Sequence, residues 1–188
     1  MIYFGFKRLM DILLAIFLMV MLFPIYFIIG LIIYLQDFGH PLFRQSRVGK
    51  TGREFNFYKF RSMPLNSPNL ESHQKEKLKV TPFGKFIRRT NIDELPQFWN
   101  VLIGDMSFIG PRPPIPSQTD LIEARRANGS LALRPGLTGW AQVNSYDGMA
   151  PSEKARFDGE YAKGFSFLLD LKILFATVKY FTKKPPTY

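Results

Sequence analysis

The chain of 188 residues contains no cysteine and only two histidines, His40 and His73. Without cysteine, disulfide frameworks, thiolate zinc sites and cysteine nucleophiles are excluded. Two histidines are too few for a histidine-rich metal centre, and they argue against a Ser-His-Asp triad. Any chemistry therefore has to use carboxylates, lysines, arginines and hydroxyl groups, with or without a hard cation.

The sequence also has no glycine-rich phosphate loop of the GxGxxG or Walker type, so nucleotide binding would depend on arginines and a metal ion. The net charge is +10, and residues 36–188 contribute +9 of it with 23 basic and 14 acidic side chains. Such a surface suits an anionic membrane or anionic substrates. Nucleic acid is the alternative partner, but none of the standard recognition motifs is present, and we predict no nucleic-acid binding.

Charge is nearly absent from the first 35 residues, of which 29 are apolar. Residues 12–35 form a run of 24 without a charged side chain, which is long enough for a transmembrane helix. Signal peptides are shorter, and no small-residue cleavage site follows this run. We therefore interpret residues 1–35 as a membrane-anchoring segment and residues 36–188 as a separate domain.

Two features favour a re-entrant hairpin over a straight span. Pro24 lies in the middle of the run, where it removes a helical hydrogen bond and clashes with the preceding turn. Basic residues flank the run on both sides, whereas positive charge tends to stay on the cytoplasmic side of a membrane. A helix that breaks at Pro24 and turns back places both flanks on one side. A straight span is the alternative.

Turn and periodicity signals divide the rest of the chain into short elements. They predict a strand-rich stretch over 36–64 with a turn at 49–52, a loop over 64–79, and a rigid extended turn at 110–114. They predict helices from Pro82, over 93–103 with Gly104 as its end, over 120–128 with Gly129 as its end, and from a cap at Ser152. A loop is predicted over 134–139 and a short strand over 140–143. The fold class is a compact, helix-dominated α/β domain with a small sheet.

The C-terminal segment 165–181 has apolar and aromatic residues at helical spacing, with lysines opposite or beyond them. An aromatic-rich, basic amphipathic helix can lie in a membrane interface. A helix that packs on the protein's own core would show the same pattern, and the sequence favours neither interpretation.

The densest group of ionisable residues centres on the adjacent acids Asp93 and Glu94. Acids at a helix start need no functional explanation, because they cap the backbone and complement the helix dipole. Several basic residues occur in the neighbouring segments: Lys59, Arg61, Arg88, Arg89 and Arg112. Carboxylates beside guanidinium groups are what a Mg²⁺–diphosphate site needs, and aspartate can attack phosphorus to give an aspartyl-phosphate intermediate.

Four segments carry a family resemblance when taken in order: KFRSM at 59–63, IDELPQ at 92–97, GDMSFIGPRP at 104–113 and RPGLTGWAQVN at 134–144. Together they resemble the bacterial sugar transferase family, the monotopic polyprenyl-phosphate phosphoglycosyl transferases, over essentially the whole chain. The chain departs from the family at Phe23-Pro24, where relatives often have Ser-Pro, and after Asn144, where a glycine usually follows.

The resemblance implies a phosphoglycosyl transferase at the cytoplasmic face of the bacterial inner membrane, with a phospholipid membrane as its partner. Such an enzyme transfers a phosphosugar from a UDP-sugar to undecaprenyl (polyprenyl) phosphate and releases UMP. By resemblance, Asp93 is the nucleophile and Glu94 holds Mg²⁺, with Asp93 as a second metal ligand. The implied phosphate-binding residues are Arg112, Pro111, Arg88 and Lys59.

Three further residues are weaker substrate-binding candidates: Arg61, Arg134 and Gln142. Arg134 could contact phosphate or fix its loop through an ion pair, and Gln142 could face the nucleotide or, as we favour, lie in a strand. The alternative function is a non-catalytic, membrane-tethered basic protein that binds anionic lipids. Such a surface has no use for paired acids among its bases, so the Asp93–Glu94 pair favours the enzyme.

Overall fold

The computed structural model describes residues 2–65, 80–145 and 149–181. The predicted loop over 64–79 falls almost entirely outside the described residues. The helices are α1 (Ile2–Met21), α2 (Phe23–Asp37), α3 (Pro82–Arg89), α4 (Gln97–Ile103), α5 (Thr119–Ala127), α6 (Trp140–Val143), α7 (Pro151–Lys163) and α8 (Phe167–Phe181). The strands are β1 (Leu42–Val48), β2 (Glu54–Phe60), β3 (Ser107–Ile109) and β4 (Gly136–Thr138). Helices predominate, as predicted.

Helices α1 and α2 form a bent pair at the N-terminus, with an angle of 62° between them. The chain turns at Leu22, and Pro24 lies in the first turn of α2, where its missing N–H would be unpaired in any case. Among the described residues no single helix is long and apolar enough to cross a membrane, but this pair together has the required length and composition.

The predicted strand-rich stretch contains β1 and β2, which pair in antiparallel orientation with Leu42 opposite Phe60 and Val48 opposite Glu54. The connecting turn covers the predicted positions, and Gly52 there has a φ of +88°, a left-handed conformation that glycine adopts without steric cost. The predictions of a strand-rich stretch and of its turn are confirmed, because both depend on signals within the segment itself.

The loop predicted over 134–139 is wrong in its centre, where β4 pairs in parallel with β3. This pairing joins segments about thirty residues apart, so no local pattern announces it. Gly110 and Gly136 allow the two backbones to meet, because a Cβ on Gly136 would lie 2.1 Å from the Gly110 nitrogen.

The strand predicted over 140–143 is also wrong, because these residues form α6. Trp140 and Val143 both pack against the cluster that contains Tyr161 and Ile173. Residues three apart share one face of a helix but point to opposite faces of a strand. The helix therefore packs both side chains against this cluster, which a strand could not do.

The helix predicted from Asp93 starts later than expected. Residues Ile92–Glu94 form a short 3₁₀ turn, and α4 begins at Gln97 after Pro96. The predicted ends at Gly104 and Gly129 are confirmed, since both glycines follow helices with positive φ.

The predicted cap at Ser152 is wrong, because Pro151 starts α7 and Ala150 precedes it without a side-chain cap. Proline fits the first helical position, where its fixed φ is already helical.

Helix α8 packs on the protein's own core, as one of the two interpretations predicted, while its position in a membrane interface stays a prediction. Its inner face buries Ile173 against Tyr161, Leu133 and Ile109. Its outer face exposes large apolar residues: Phe167, Leu168, Leu174, Phe175 and Val178. Phe167 also contacts Phe6 of α1 edge to face, with 6.2 Å between ring centroids, so the exposed apolar surface of α8 adjoins that of the helix pair.

Candidate functional site

The Asp93–Glu94 turn lies between α3 and α4, and the backbone forces both carboxylates inward. Asn91 enters the turn with a φ of +55°, a conformation that asparagine tolerates better than most residues. Ile92 and Leu95 on either side pack against a hydrophobic cluster. The side chains of Asp93 and Glu94 are only 8% and 16% exposed, so both charges need nearby partners.

Two cations from distant segments supply those partners. Lys59 of β2 places its Nζ 2.6 Å from Oε1 of Glu94 and 3.7 Å from Oδ2 of Asp93. Arg112 donates from Nη2 to the same Glu94 oxygen at 2.8 Å. The structure therefore brings four of the predicted site residues, from three separate motifs, into direct contact.

The two carboxylates differ in their acidity. Burial raises the pKa of Asp93, the negative charge of Glu94 adds to this, and the charge of Lys59 opposes it. Burial would also raise the pKa of Glu94, but the charges and hydrogen bonds of Arg112 and Lys59 outweigh it and hold that pKa well below its usual range. Adjacent acids with diverging pKa values are suited to different tasks.

Arg88 lies in the last turn of α3 and is fixed by Ser62, whose Oγ accepts a hydrogen bond of 2.7 Å from Arg88 Nε. The positive charge of Arg88 opposes the rise in the pKa of Asp93 that burial causes. Arg88 therefore belongs to the electrostatic surroundings of the acid pair. Ser62 belongs to the 59–63 motif but was not among the predicted site residues.

The loop with Pro111 and Arg112 is held by its backbone, while its arginine side chain stays accessible. The carbonyl of Pro111 accepts a hydrogen bond from Gly136 N at 2.9 Å. The carbonyl of Arg112 accepts one from Arg125 Nη1 at 2.8 Å, and Arg125 is in a buried ion pair with Asp158. The Arg112 side chain is 48% exposed, so a rigid loop presents a guanidinium that can still reach a ligand.

The three weaker candidates lie in other surroundings. Arg61 forms a bidentate ion pair with Asp37 at the end of α2. Arg134 fixes its loop by donating to the carbonyl of Gly104 at 2.9 Å, rather than through an ion pair. Gln142 lies on helix α6 instead of the strand we favoured. In this structure Arg61 and Arg134 therefore make intramolecular contacts, and Gln142 donates to the carbonyl of Leu137 at 3.4 Å. Substrate binding by all three stays a prediction.

Arg47 is a site neighbour that sequence reasoning missed. Burial lowers the pKa of Arg47 to about 10, and the charge of Arg112 adds to this while Glu94 opposes it. Its Nη1 donates to the carbonyl of Pro113, and its guanidinium lies 5.2 Å from the centre of the Phe57 ring. In the sequence it was one of several bases after the apolar run, and only strand pairing brings it to the site.

The acid pair fits Mg²⁺ by type and number of ligands. No group of three or more acidic or histidine side chains that could hold a metal occurs in residues 2–65, 80–145 and 149–181. Mg²⁺ is usually bound through one or two carboxylates, with waters and substrate phosphates completing its shell. Asp93 and Glu94 could therefore hold Mg²⁺ that is shared with a diphosphate, but not a metal that needs a full protein cage.

The charge balance of the site favours an anionic ligand. Four basic side chains surround two carboxylates: Arg47, Lys59, Arg88 and Arg112. The arrangement can neutralise a multiply charged phosphate compound and present it to a buried carboxylate with a raised pKa. That combination supports nucleophilic attack on phosphorus.

Comparison with known proteins finds a family and relatives named for sugar or sugar-phosphate transfer. The sequence profile of the bacterial sugar transferase family matches residues 2–184. The UDP-glucose:undecaprenyl-phosphate glucose-1-phosphate transferase of Escherichia coli (strain K12) is 38% identical, and the match covers 92% of this chain. A UDP-N-acetylgalactosamine-undecaprenyl-phosphate N-acetylgalactosaminephosphotransferase of Aeromonas hydrophila is 41% identical over 95% of this chain.

These relatives are longer proteins. The match covers 39% of the E. coli protein and 44% of the Aeromonas protein, so the chain spans about two fifths of their length. A relative of similar size, the uncharacterized sugar transferase EpsL of Bacillus subtilis (strain 168), is 37% identical over 92% of this chain and 85% of its own.

Proposed function

The chain belongs to the bacterial sugar transferase family, and on that premise we propose that it transfers a phosphosugar from a UDP-sugar to undecaprenyl phosphate and releases UMP. The names of its relatives specify UDP-linked donors and undecaprenyl phosphate as acceptor. The observation that carries the proposal is the buried Asp93–Glu94 pair with Lys59 and Arg112 within hydrogen-bonding distance of Glu94.

The first half of the reaction forms a covalent intermediate on Asp93. A carboxylate oxygen of Asp93 attacks the β-phosphorus of the donor, and a new O–P bond forms. The bond from that phosphorus to the bridging oxygen breaks, and UMP leaves with the electron pair. Because burial raises the pKa of Asp93, its carboxylate is poorly solvated and more basic than a surface aspartate, which favours attack.

The second half regenerates the enzyme. A phosphate oxygen of undecaprenyl phosphate attacks the same phosphorus, and the Asp93–phosphorus bond breaks. The product is a polyprenyl diphosphosugar, and the carboxylate of Asp93 is free again. Because UMP leaves before the acceptor enters, one small site serves a water-soluble and a lipid substrate in turn, and the kinetics are ping-pong.

The cations around the pair neutralise the charge of the diphosphate. Arg112 extends from its fixed loop and Lys59 from β2, and both now contact Glu94, so they are placed to exchange that carboxylate for phosphate oxygens. Glu94, with Asp93, would hold Mg²⁺, which when bound offsets the negative charge that two carboxylates and a diphosphate bring together.

We further propose that the α1–α2 pair lies in the cytoplasmic leaflet of the bacterial inner membrane as a re-entrant hairpin. Both ends of the pair make ion pairs with the rest of the chain: Lys7 of α1 with Asp170, and Asp37 of α2 with Arg61. A straight span would carry one of these ends across the membrane. The shared contacts therefore favour a hairpin that returns to the side on which it entered.

The proposed reaction is tested by incubating the purified protein with a panel of UDP-sugars, undecaprenyl phosphate and Mg²⁺, and measuring UMP. We expect UMP release with at least one donor, and its loss when Mg²⁺ is chelated. A panel without turnover would contradict the enzyme and favour the alternative of a lipid-binding protein without catalysis. Turnover that chelation leaves unchanged would contradict the metal assignment alone.

The pH dependence tests the role of Lys59. Because Asp93 must be ionised to attack, kcat/KM for the UDP-sugar should fall as the pH drops through the raised pKa of Asp93, above the ordinary aspartate value of about 3.9. Lys59 lowers that pKa, so Lys59→Met should move the acid limb to higher pH.

The matched control is Lys85→Met, which removes an exposed lysine of α3 and should leave the acid limb in place. The limb belongs to the donor half-reaction, so ionisation of the lipid phosphate does not affect it. An acid limb that stays or moves to lower pH in Lys59→Met would contradict the electrostatic account of the site.

A further inference from the structure

The membrane-type helix α2 forms part of the core beneath the proposed catalytic turn. Ile29 and Ile33 of α2 are buried against Phe60 of β2 and Ile87 of α3. Four partly buried residues pack on this cluster: Tyr26, Phe83, Ile92 and Leu95. Of these, Ile92 and Leu95 flank the acid pair in the sequence. The hairpin and the catalytic turn therefore share one packed cluster.

Tyr26 makes the polar contact within this cluster. Its hydroxyl donates a hydrogen bond of 2.5 Å to the carbonyl of Leu95, the residue directly after Glu94. Its ring centroid lies 5.7 Å from that of Phe60, the residue directly after Lys59. Tyr26 thus contacts the neighbours of both partners of the Lys59–Glu94 ion pair. Its hydroxyl bonds the backbone next to Glu94, and its ring contacts the side chain next to Lys59.

The hydrogen bond from Tyr26 to Leu95 lies at an irregular part of the backbone. The Leu95 carbonyl also accepts a bond of 3.0 Å from Phe98 N, which belongs to the start of α4. The turn before it is a single 3₁₀ turn entered through a left-handed residue, and such short turns have weaker hydrogen-bond geometry than α-helix. A second donor on this carbonyl therefore restrains the turn at the point where it joins α4.

We propose that Tyr26 is a positioning residue: its hydroxyl holds the Asp93–Glu94 turn against α2, so that this one hydrogen bond from the membrane hairpin sets the geometry of the catalytic pair. This inference rests on the proposed function. It makes the hairpin part of the catalytic apparatus as well as an anchor, since the alignment of attacking carboxylate and cations depends on α2 being in place.

The test is Tyr26→Phe in the whole 188-residue chain, assayed for UMP release in detergent micelles with added undecaprenyl phosphate. Phenylalanine keeps the ring on Phe60 and removes only the hydroxyl. We expect kcat to fall about tenfold, which corresponds to the net free energy of one hydrogen bond of ordinary strength. The KM for the UDP-sugar should change little, because the substrate-binding cations remain.

Two matched variants separate positioning from stability. Tyr34→Phe removes a hydroxyl from an exposed tyrosine two turns along the same helix and should leave kcat unchanged. Ile29→Val trims the same cluster without touching the hydrogen bond, and should lower the thermal midpoint at least as much as Tyr26→Phe while retaining kcat.

Three results would overturn the inference while leaving the proposed function standing. The first is a Tyr26→Phe enzyme with wild-type kcat. The second is a loss of kcat in Ile29→Val that matches its loss of thermal midpoint, since that would make the effect one of general packing. The third is a Tyr26→Phe protein that fails to fold while Ile29→Val folds and keeps kcat, because the hydroxyl would then serve the fold. Absence of turnover in the wild type would instead contradict the proposed function itself.

Discussion

Replacing Asp93 with asparagine is expected to abolish phosphosugar transfer and leave the fold intact. Asparagine has the same size and fits the same buried turn, but it has no carboxylate to attack phosphorus. Loss of a catalytic nucleophile costs on the order of 10⁴-fold or more in turnover. The measurement is UMP release under saturating donor and acceptor, together with the circular dichroism spectrum and thermal midpoint of the variant.

The control for Asp93→Asn is Asp120→Asn, an exposed acid in the first turn of α5, which should retain wild-type turnover. The folded Asp93→Asn variant should keep its affinity for the donor, because the four basic side chains remain. Turnover close to wild type in Asp93→Asn would refute its assignment as nucleophile, even if the protein proved to be a transferase.

Replacing Asp158 with asparagine is expected to lower the free energy of unfolding by about 3–5 kcal/mol, since removing one partner of a buried ion pair leaves the other charge uncompensated. Asp158 Oδ2 accepts from Arg125 Nε at 2.8 Å and Nη2 at 2.6 Å, and the two side chains are only 1% and 4% exposed. Activity should fall as well, because Arg125 also holds the carbonyl of Arg112. Denaturant unfolding in micelles measures the first effect and UMP release the second.

The matched control for Asp158→Asn is Glu160→Gln on the same helix. Glu160 pairs with Arg156 at the surface, where an ion pair is worth at most about 1 kcal/mol. The double variant Arg125→Met/Asp158→Leu should recover stability, since apolar residues can replace a buried pair, but it should not recover activity. Equal effects of Asp158→Asn and Glu160→Gln on unfolding would contradict this account.

The parts of the fold that the sequence predicted are those with local signals. Pro82 starts α3, Gly104 and Gly129 end α4 and α5, and the turn at 49–52 connects β1 to β2. Each of these is set by the conformational limits of one or two residues. The pairing of β3 with β4 depends on contact between distant segments, and the helix at 140–143 depends on which face of that segment the core covers.

The residues of the site also divide into those that a sequence motif predicted and those that only the structure showed. The sequence motifs supplied Asp93, Glu94, Lys59 and Arg112, which the structure brings into contact. Three supporting residues were missed because nothing in their own segments marks them: Arg47, Arg125 and Tyr26. Ser62 lies in the 59–63 motif, but nothing in that motif shows that it bonds Arg88. A residue that acts through a backbone carbonyl of another segment leaves no pattern in the sequence, and only the folded chain reveals it.

The measurement that tests the central claim most directly is covalent labelling by donor alone. The protein is incubated with the active UDP-sugar, radiolabelled at its β-phosphate, without undecaprenyl phosphate. We expect a burst of UMP equal to the amount of enzyme, label retained on the denatured protein, discharge of the label when undecaprenyl phosphate is added, and no label on Asp93→Asn. An enzyme that transfers phosphosugar when both substrates are present, yet releases no UMP and takes up no label from the donor alone, would contradict the account.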